Sequence, residues 1–377
     1  MTSATLSPTR AVVAPPLQPE PGPSGMGAVT AQWLPAEDWS STRDDWQALF
    51  EAAQPNVFLA PAFALAARAI DPAPGLGAVV IMRDGQWIGF VPGRIGPGGT
   101  VFSIWTHDYA PYGLPLVREG GEAAVLAALF PVLRDRGVAA LDWPMLDEGR
   151  FSTALEAFCA DRRVVVLDRH DRACLDGAAP KLSKDHRRLA RRLAEHGALD
   201  RVSTAIGHPP DAALDAFLDL EVAGWKGRKG TALAGSAATR GLCLAGISGL
   251  VSAGMARIDI MRLDGRPIAV GVALMAGDRA WYWKTAYAED LARYSPGLLL
   301  SHAIGEELMA GGGIRLADSC AIPGHSMIER IWPGRVTMTR QLIAVQAGAP
   351  GWRFHVARVA MRTWIDGKAA AKRLLKR

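Results

Sequence analysis

The chain has 377 residues, 49% of them hydrophobic, enough for two ordinary domains with real cores. No apolar run approaches the ~20 residues of a membrane-spanning helix, and the short apolar stretch near the start is broken by Pro15 and Pro16, unlike a secretory signal. The net charge of +5 is uneven: residues 350–377 carry eight Lys/Arg against one Asp, so the remainder is slightly acidic and the pI of 9.2 says little about the folded body.

Cys159, Cys174, Cys243 and Cys320 form no CxxC pair and no Cys/His cluster with zinc spacing. Structural disulfides and a metal are therefore not expected, and a reducing cytoplasm fits best. Residues 1–30 hold Pro8, Pro15, Pro16, Pro19, Pro21 and Pro23 among Gly, Ser and Thr, a disordered composition. Trp33 to Ile70 reads as mainly helical, with Trp46, Leu49, Phe50 and Ala53 at helical spacing. Val79 to Pro92 is a hairpin turning on Asp84-Gly85, a pair that tolerates positive φ. An aromatic strand within Phe102–Tyr112, a helix over Glu122–Leu133 and a strand over Ala139–Asp142 follow, then a helix over Phe151–Ala160 and a short strand over Val164–Leu167.

The second half opens with a basic helix, Pro180 to His196, followed by a helix over Asp211–Val222 and a Gly/Lys-rich loop over Gly224–Gly230. Thr239–Ala253 is again helical. The Ala256–Ala276 hairpin pivots on Asp264-Gly265. Ala280–Ala286 is an aromatic strand, 287–295 a loop, Pro296–Ala310 a helix with Pro in its first turn, and Ile314–Asp318 and Val336–Val345 are strands. This order repeats the first half. Ile81-Met82-Arg83 and Ile260-Met261-Arg262 lie 179 residues apart, and Asp142 and Asp318 lie 176 apart. A duplicated hairpin, strand, helix and strand implies two related units. The boundaries are drawn at 31–172 and 173–347, with a basic amphipathic tail over 348–377.

That order, with the stretches Glu221–Thr231 (EVAGWKGRKGT), Leu263–Ala269 (LDGRPIA) and Trp281–Leu300 (WYWKTAYAEDLARYSPGLLL), resembles GNAT acyltransferases. With Asp318-Ser319-Cys320 and Trp332-Pro333, it looks more closely like the CelD-like acetyltransferase family, itself similar to Fem-type peptidyltransferases. The resemblance covers about residues 40–346 and is strongest over 215–335. It implies an α/β (α+β) fold of tandem GNAT-like domains, each a mixed, mostly antiparallel sheet flanked by helices. It further implies an acyl-coenzyme A co-substrate, an amine acceptor and a role in cell-envelope or polysaccharide biosynthesis.

The loop Arg293-Tyr294-Ser295-Pro296-Gly297-Leu298 leads into a helix, whose first turn presents unpaired N–H groups and partial positive charge to a pyrophosphate. GNAT enzymes usually place Arg/Gln-x-x-Gly-x-Gly/Ala here. This chain keeps Arg293, has Pro296 at the first Gly, and has a Leu near the second. Arg293, Ser295, Gly297 and Leu298 are thus expected at the donor, beside Trp283, Lys284 and Thr285 of a strand that splays and lends N–H groups to a thioester carbonyl. Trp281, Tyr282, Trp283 and Tyr287 crowd this strand, and core packing explains half of them, since alternation buries one face. Glu221 or Asp318 is a candidate to take the proton from the amine, and Tyr287 or Tyr294 to protonate the leaving thiolate. For each a structural role is the rival reading: a helix-end acid, a turn Asp duplicated by Asp142, or packing. His302 and His325 read as ordinary histidines. Cys320 has no His at diagnostic spacing and reads as a small hydrophobe.

No Gly-x-Ser-x-Gly elbow, P-loop or His-Glu-x-x-His occurs. The Lys181–Arg192 cluster is a solvated helix face or a dock for a phosphate-rich group, whether the 3′-phosphate of coenzyme A, a nucleotide-sugar or, in a peptidyltransferase, tRNA. The tail from Trp352 mixes Trp352, Phe354, Val356, Val359, Met361, Trp364 and Ile365 with its cations. It suits either a helix docked on the body or one lying on anionic lipid, which would make the protein peripheral at the inner membrane or a membrane-surface binding protein.

Overall fold

A computed structural model of the chain describes residues 27–72 and 74–374, so the Pro-rich segment lies outside the described residues up to position 26. The strands are β1 (Val29–Pro35), β2 (Leu76–Arg83), β3 (Gln86–Ile95), β4 (Val101–Ile104), β5 (Leu116–Val117), β6 (Ala140–Asp147), β7 (Val164–Leu175), β8 (Leu199–Ser203), β9 (Ala256–Leu263), β10 (Arg266–Ala276), β11 (Arg279–Tyr287), β12 (Leu316–Asp318) and β13 (Gly334–Ala344). The helices of the first half are α1 (Arg43–Ala52), α2 (Pro61–Ala67), α3 (Glu122–Asp135) and α4 (Arg150–Phe158). Those of the second are α5 (Lys184–Ala194), α6 (Pro210–Ala223), α7 (Trp225–Arg228), α8 (Ala237–Gly241), α9 (Ser248–Ser252), α10 (Pro296–Ala310) and the tail helix α11 (Trp352–Leu374). The result is the expected mixed, mostly antiparallel α/β architecture, but in one continuous sheet.

The path is β1-β2-β3-β4-β6-β13-β7-β12-β11-β10-β9-β8, with β5 beside β3. Its two arms repeat each other: β1 to β6 in the first half correspond to β8 to β12 in the second. Their last strands are exchanged. β7, from the first half, pairs with β12 of the second, and β13, from the second, pairs with β6 of the first. The two exchanged strands pair antiparallel with each other, His170 facing Met338 near the middle. The boundary drawn at 172/173 falls inside β7.

Each exchanged strand carries an arginine into the other half. Arg172 of β7 donates to Asp318 at the end of β12 (3.1 Å), and Arg340 of β13 holds Asp142 of β6 with two bonds of 2.8 Å. Arg172, Asp318 and Asp142 are all buried. A second crossing lies nearby: Arg279 of β11 donates to Asp147 of β6 (2.7 Å), and the Tyr112 hydroxyl donates to the same carboxylate (3.0 Å). The core is also shared. Trp281 and Trp283 of β11 stand edge-on to Phe58 and Phe63 of the first half, with centroids 5.7 and 6.1 Å apart.

Both hairpins turn as their sequences predict. Asp84 and Asp264 have φ of 51° and 48°, followed by Gly85 and Gly265 at 79° and 80°, the positive-φ pair of a two-residue hairpin loop. Other expectations need correction. Trp33 is not helical but lies in β1, whose seven residues are too few to stand out ahead of the helices that start after Pro35. β7 is twelve residues rather than four: its charged run Asp168–Arg172 reads as loop, yet it is held in the sheet by β13. The aromatic strand ends at Ile104, and the coil beyond it folds over the second half, where the Tyr109 carbonyl accepts from Trp283 Nε1 (2.8 Å). The 224–230 loop contains α7, 289–294 is a 3-10 turn, and α8 and α9 are joined by a π-helical stretch over Leu242–Ile247.

Removing one member of a crossed pair strands a buried charge, which costs ~3–5 kcal/mol. Arg172→Met should therefore lose stability on that scale in urea unfolding, and Arg172→Met with Asp318→Leu should recover most of it. A single variant as stable as the parent would show that the pair does not hold the exchange.

Candidate active site

β11 and β12 begin as parallel neighbours and then part. Their ladder pairs Arg279 with Leu316, Ala280 with Ala317 and Trp281 with Asp318, and ends there, while β11 continues to Tyr287. On its other side β11 is bulged: Tyr282 faces Ala273 and Lys284 faces Val272, which leaves Trp283 without an opposite residue. A bulge twists a strand and re-aims side chains, and bulges concentrate beside active sites. Past Trp281, β11 thus has one strand neighbour and one open edge.

A cavity of about 670 Å³ fills that opening. Of the residues expected at a donor site, Trp283, Lys284, Thr285, Ser295, Gly297 and Leu298 line it, together with Tyr287. Arg293 does not; it lies 4.8 Å over the ring of Tyr294 at the surface. The Ser295 backbone takes a left-handed turn (φ 55°) into α10. The N–H groups of Leu298 and Leu299 both turn back to the Ser295 carbonyl (3.0 and 3.1 Å), and Pro296 has none, so this turn offers an anion fewer donors than a glycine-rich loop. Gly297 has a packing reason as well: a Cβ there would stand 3.2 Å from the Tyr287 ring. Lys226, Arg330 and His325 bring basic groups to the same cavity. The segments flanking α5 are tied by the Lys181 N–H to the Ile331 carbonyl (2.8 Å) and by His196 to the Tyr294 hydroxyl (2.5 Å), and no residue of α5 lines the cavity.

A second cavity of about 1250 Å³ lies between the halves. The first half contributes Trp105, His107 and Asp108 to its wall, and α11 contributes Met361 and Trp364. The two cavities share Lys284, Cys320, Ala321 and Ile322. Lys284 was expected to serve through its backbone, but its side chain stands where the cavities meet. Burial, reinforced by the nearby charge of Lys226, lowers its pKa to about 8; Glu221, Cys320 and Asp108 pull the other way. Its ammonium sits 4.7 Å over the Tyr109 ring and 5.8 Å from that of Trp283. His107 is pushed down to about 4 by burial, so it is neutral at pH 7. Its Nδ1 accepts from the Tyr109 N–H (3.2 Å), which places the ring proton on Nε2.

The two carboxylates expected as bases are both engaged. Glu221 is buried rather than an exposed helix end: one oxygen accepts from Lys226 (2.8 Å) and the other from the Leu233 N–H (2.7 Å). Asp318 accepts from Arg172 and from the Cys320 N–H (2.8 Å), and lines neither cavity. Tyr294 is buried beside His196. Cys320 takes a left-handed conformation (φ 52°), and burial pushes its thiol well above the ordinary range. In the first half the matching helix start is already filled. The buried Glu122 carboxylate sits in the first turn of α3 and accepts from Gln54 (2.9 Å), where the helix dipole favours an anion.

Residues 180–323 match the family model of an acetyltransferase (GNAT) domain. The second half, which holds the splayed strand and its cavity, therefore carries a GNAT-type acetyltransferase domain. Over 80–86% of its length the chain shares the fold of several solved structures. One is the C-terminal DUF2156 domain of an Agrobacterium fabrum protein assigned as a lysylphosphatidylglycerol synthetase, 13% identical with TM-score 0.54, the match covering 86% of this chain and 97% of that one. Another is a conserved Bacteroides thetaiotaomicron protein of unknown function, 12% identical, TM-score 0.52, covering 81% and 97%. A third is FemX, 10% identical, TM-score 0.50, covering 80% and 95%. No curated protein matches the sequence.

The charges around Lys284 give a test independent of turnover. Glu221→Gln removes a group that raises the Lys284 pKa and should move it below about 8; Lys226→Met removes one that lowers it and should move it up. An NMR titration of 13C-methylated lysines reads both shifts, and equal shifts in one direction would refute this electrostatic layout.

Proposed function

We propose that the protein transfers an acyl group from a thioester, of the acyl-coenzyme A type, to an amine, with the donor in the 670 Å³ cavity and the acceptor in the cleft between the halves. The observation that carries this reading is the meeting of the two cavities at Lys284, beside the bulged, open-edged part of β11. A thioester lying along that edge presents its carbonyl to β11 N–H groups, which hold the developing oxyanion without reorganisation. The amine attacks the carbonyl carbon from the cleft. Neutral Lys284 takes the proton that the amine nitrogen must lose, and the C–S bond breaks with the thiolate taking a proton from Tyr287. Proton acceptance is assigned to Lys284 because both oxygens of Glu221 and of Asp318 already accept hydrogen bonds. The cations of Arg330 and Lys226, which line the donor cavity, suit the phosphates of coenzyme A.

The exposed Lys184, Arg187, Arg188, Arg191 and Arg192 on α5 favour one second reading, an aminoacyl-tRNA donor on the same site. A thermal-shift titration separates the two, since a ligand that binds only the native state raises the melting temperature. Acetyl-coenzyme A should stabilise the protein, and Ser326→Trp, at the exposed mouth of the donor cavity, should abolish that shift while leaving the unliganded melting temperature in place. A shift with tRNA alone would select the second reading, and none with either would remove both.

The pH dependence has a definite sign. Lys284 is active as the neutral amine, so with an acceptor that is itself neutral throughout, kcat/KM should rise tenfold per pH unit below about 8 and level off above it. Lys284→Met should lower the plateau by about 10²–10⁴-fold and remove the bend. A bend that survives in the variant would assign the base elsewhere.

A further inference from the structure

We infer that α11 seats the protein on an anionic membrane surface, using a face opposite the one that docks on the body. The inward face is settled by packing. Phe354 and Ala357 are buried, and Met361 and Ile365 pack with them against Ala140, Leu167, Leu342 and Ala344 of the central strands. The spacing of these four places them on one side of the helix. Arg362 reaches the Leu167 carbonyl (3.3 Å) and Arg353 reaches Thr100 (3.2 Å), pinning the helix in place. A helix that served only to cover the sheet would be polar on its other side.

It is not. Trp352, Val356 and Val359 recur at i, i+4 and i+7, and they are 74%, 56% and 59% exposed. They form a stripe about 180° from Phe354, Ala357 and Met361. Three of the ten large hydrophobic residues with high exposure in the described chain thus fall on two turns of one helix. Arg353 and Arg358 flank this stripe, and residues 350–377 as a whole carry eight cations against Asp366. Among the described residues no helix is long and apolar enough to cross a bilayer, so this is the signature of a helix lying in the plane of an interface. The concentration of positive charge on a body that is otherwise slightly acidic specifies anionic lipid as the partner, since a cationic or neutral surface gains nothing from it. α11 also lines the acceptor cleft with Met361, Trp364 and Lys368. These residues lie on the body-facing side of the helix, so seating the outer stripe on lipid leaves the cleft covered from the membrane by α11.

The test uses the full chain and sucrose-loaded vesicles, one set of phosphatidylcholine alone and one with a third phosphatidylglycerol. Co-sedimentation is expected with the anionic vesicles, at least tenfold weaker with the neutral ones, and declining with added salt. Trp352→Ser with Val356→Ser and Val359→Ser should cut binding by tenfold or more. These side chains are exposed and outside both cavities, so the variant should keep the parent's melting temperature and its acyl transfer to a soluble amine. Equal sedimentation with both vesicle types, or undiminished binding of the triple variant, would overturn the inference. So would a dimer in analytical ultracentrifugation that the triple variant abolishes, without vesicle binding, for the stripe would then be a contact between copies. Because the readout is lipid binding, its failure leaves the acyltransferase reading standing, and the reverse also holds.

Discussion

The exchange of the last strands governs the rest of the molecule. β7 and β13 leave their own halves, pair with each other, and each delivers an arginine to a buried aspartate of the opposite half. An unpaired carboxylate in such a place is costly, and an arginine fork is the group best shaped to neutralise it. Neither half can therefore satisfy its own strand end. The two units form one sheet, and a cleft with fixed walls opens between them. A site assembled from both halves needs this rigidity, because a proton acceptor is useful only within hydrogen-bond reach of the group it serves.

Duplication then allows the halves to diverge. In the first, the coil beyond β4 packs onto the second half, and Glu122 fills the start of α3. In the second, the equivalent edge stays open, the turn into α10 is uncharged, and basic residues gather around it. One copy has become a wall and the other a pocket. The same coil supplies Tyr109 beneath the Lys284 ammonium and Asp108 nearby, so the supporting half contributes to the surroundings of the other half's lysine.

Much of this was legible in the sequence because it is local. Asp84-Gly85 and Asp264-Gly265 announce two matching hairpins through turn chemistry alone. Asp142 and Asp318 stood out as a repeated pair, and a structural role was among the readings weighed for them. Their arginine partners did not stand out, since Arg172 sits in a charged run resembling a loop and its partner lies 146 residues away. Trp283, Lys284, Thr285, Ser295, Gly297 and Leu298 line one cavity because strand, turn and helix are contiguous there. Arg293 does not line that cavity but stacks over the Tyr294 ring, a contact that no spacing rule encodes.

Lys284 shows most clearly what sequence reasoning misses. Within Trp281-Tyr-Trp-Lys-Thr-Ala-Tyr287 it reads as one polar residue on an aromatic strand, and strict alternation gives it no distinction. Its position depends on the bulge at Trp283, which is visible only in the pairing of β11 with β10, and on a cleft built by the opposite half. Its lowered pKa likewise reflects burial and Lys226, which arrive from α7 and the inter-half packing rather than from its own strand. A lysine held partly neutral has a cost in stability that a surface lysine does not, and among the described residues no carboxylate holds it with a hydrogen bond. Glu221, whose charge acts on Lys284, is instead tied to Lys226 and to the Leu233 N–H. That arrangement keeps Lys284 available to a ligand at the junction of the two cavities.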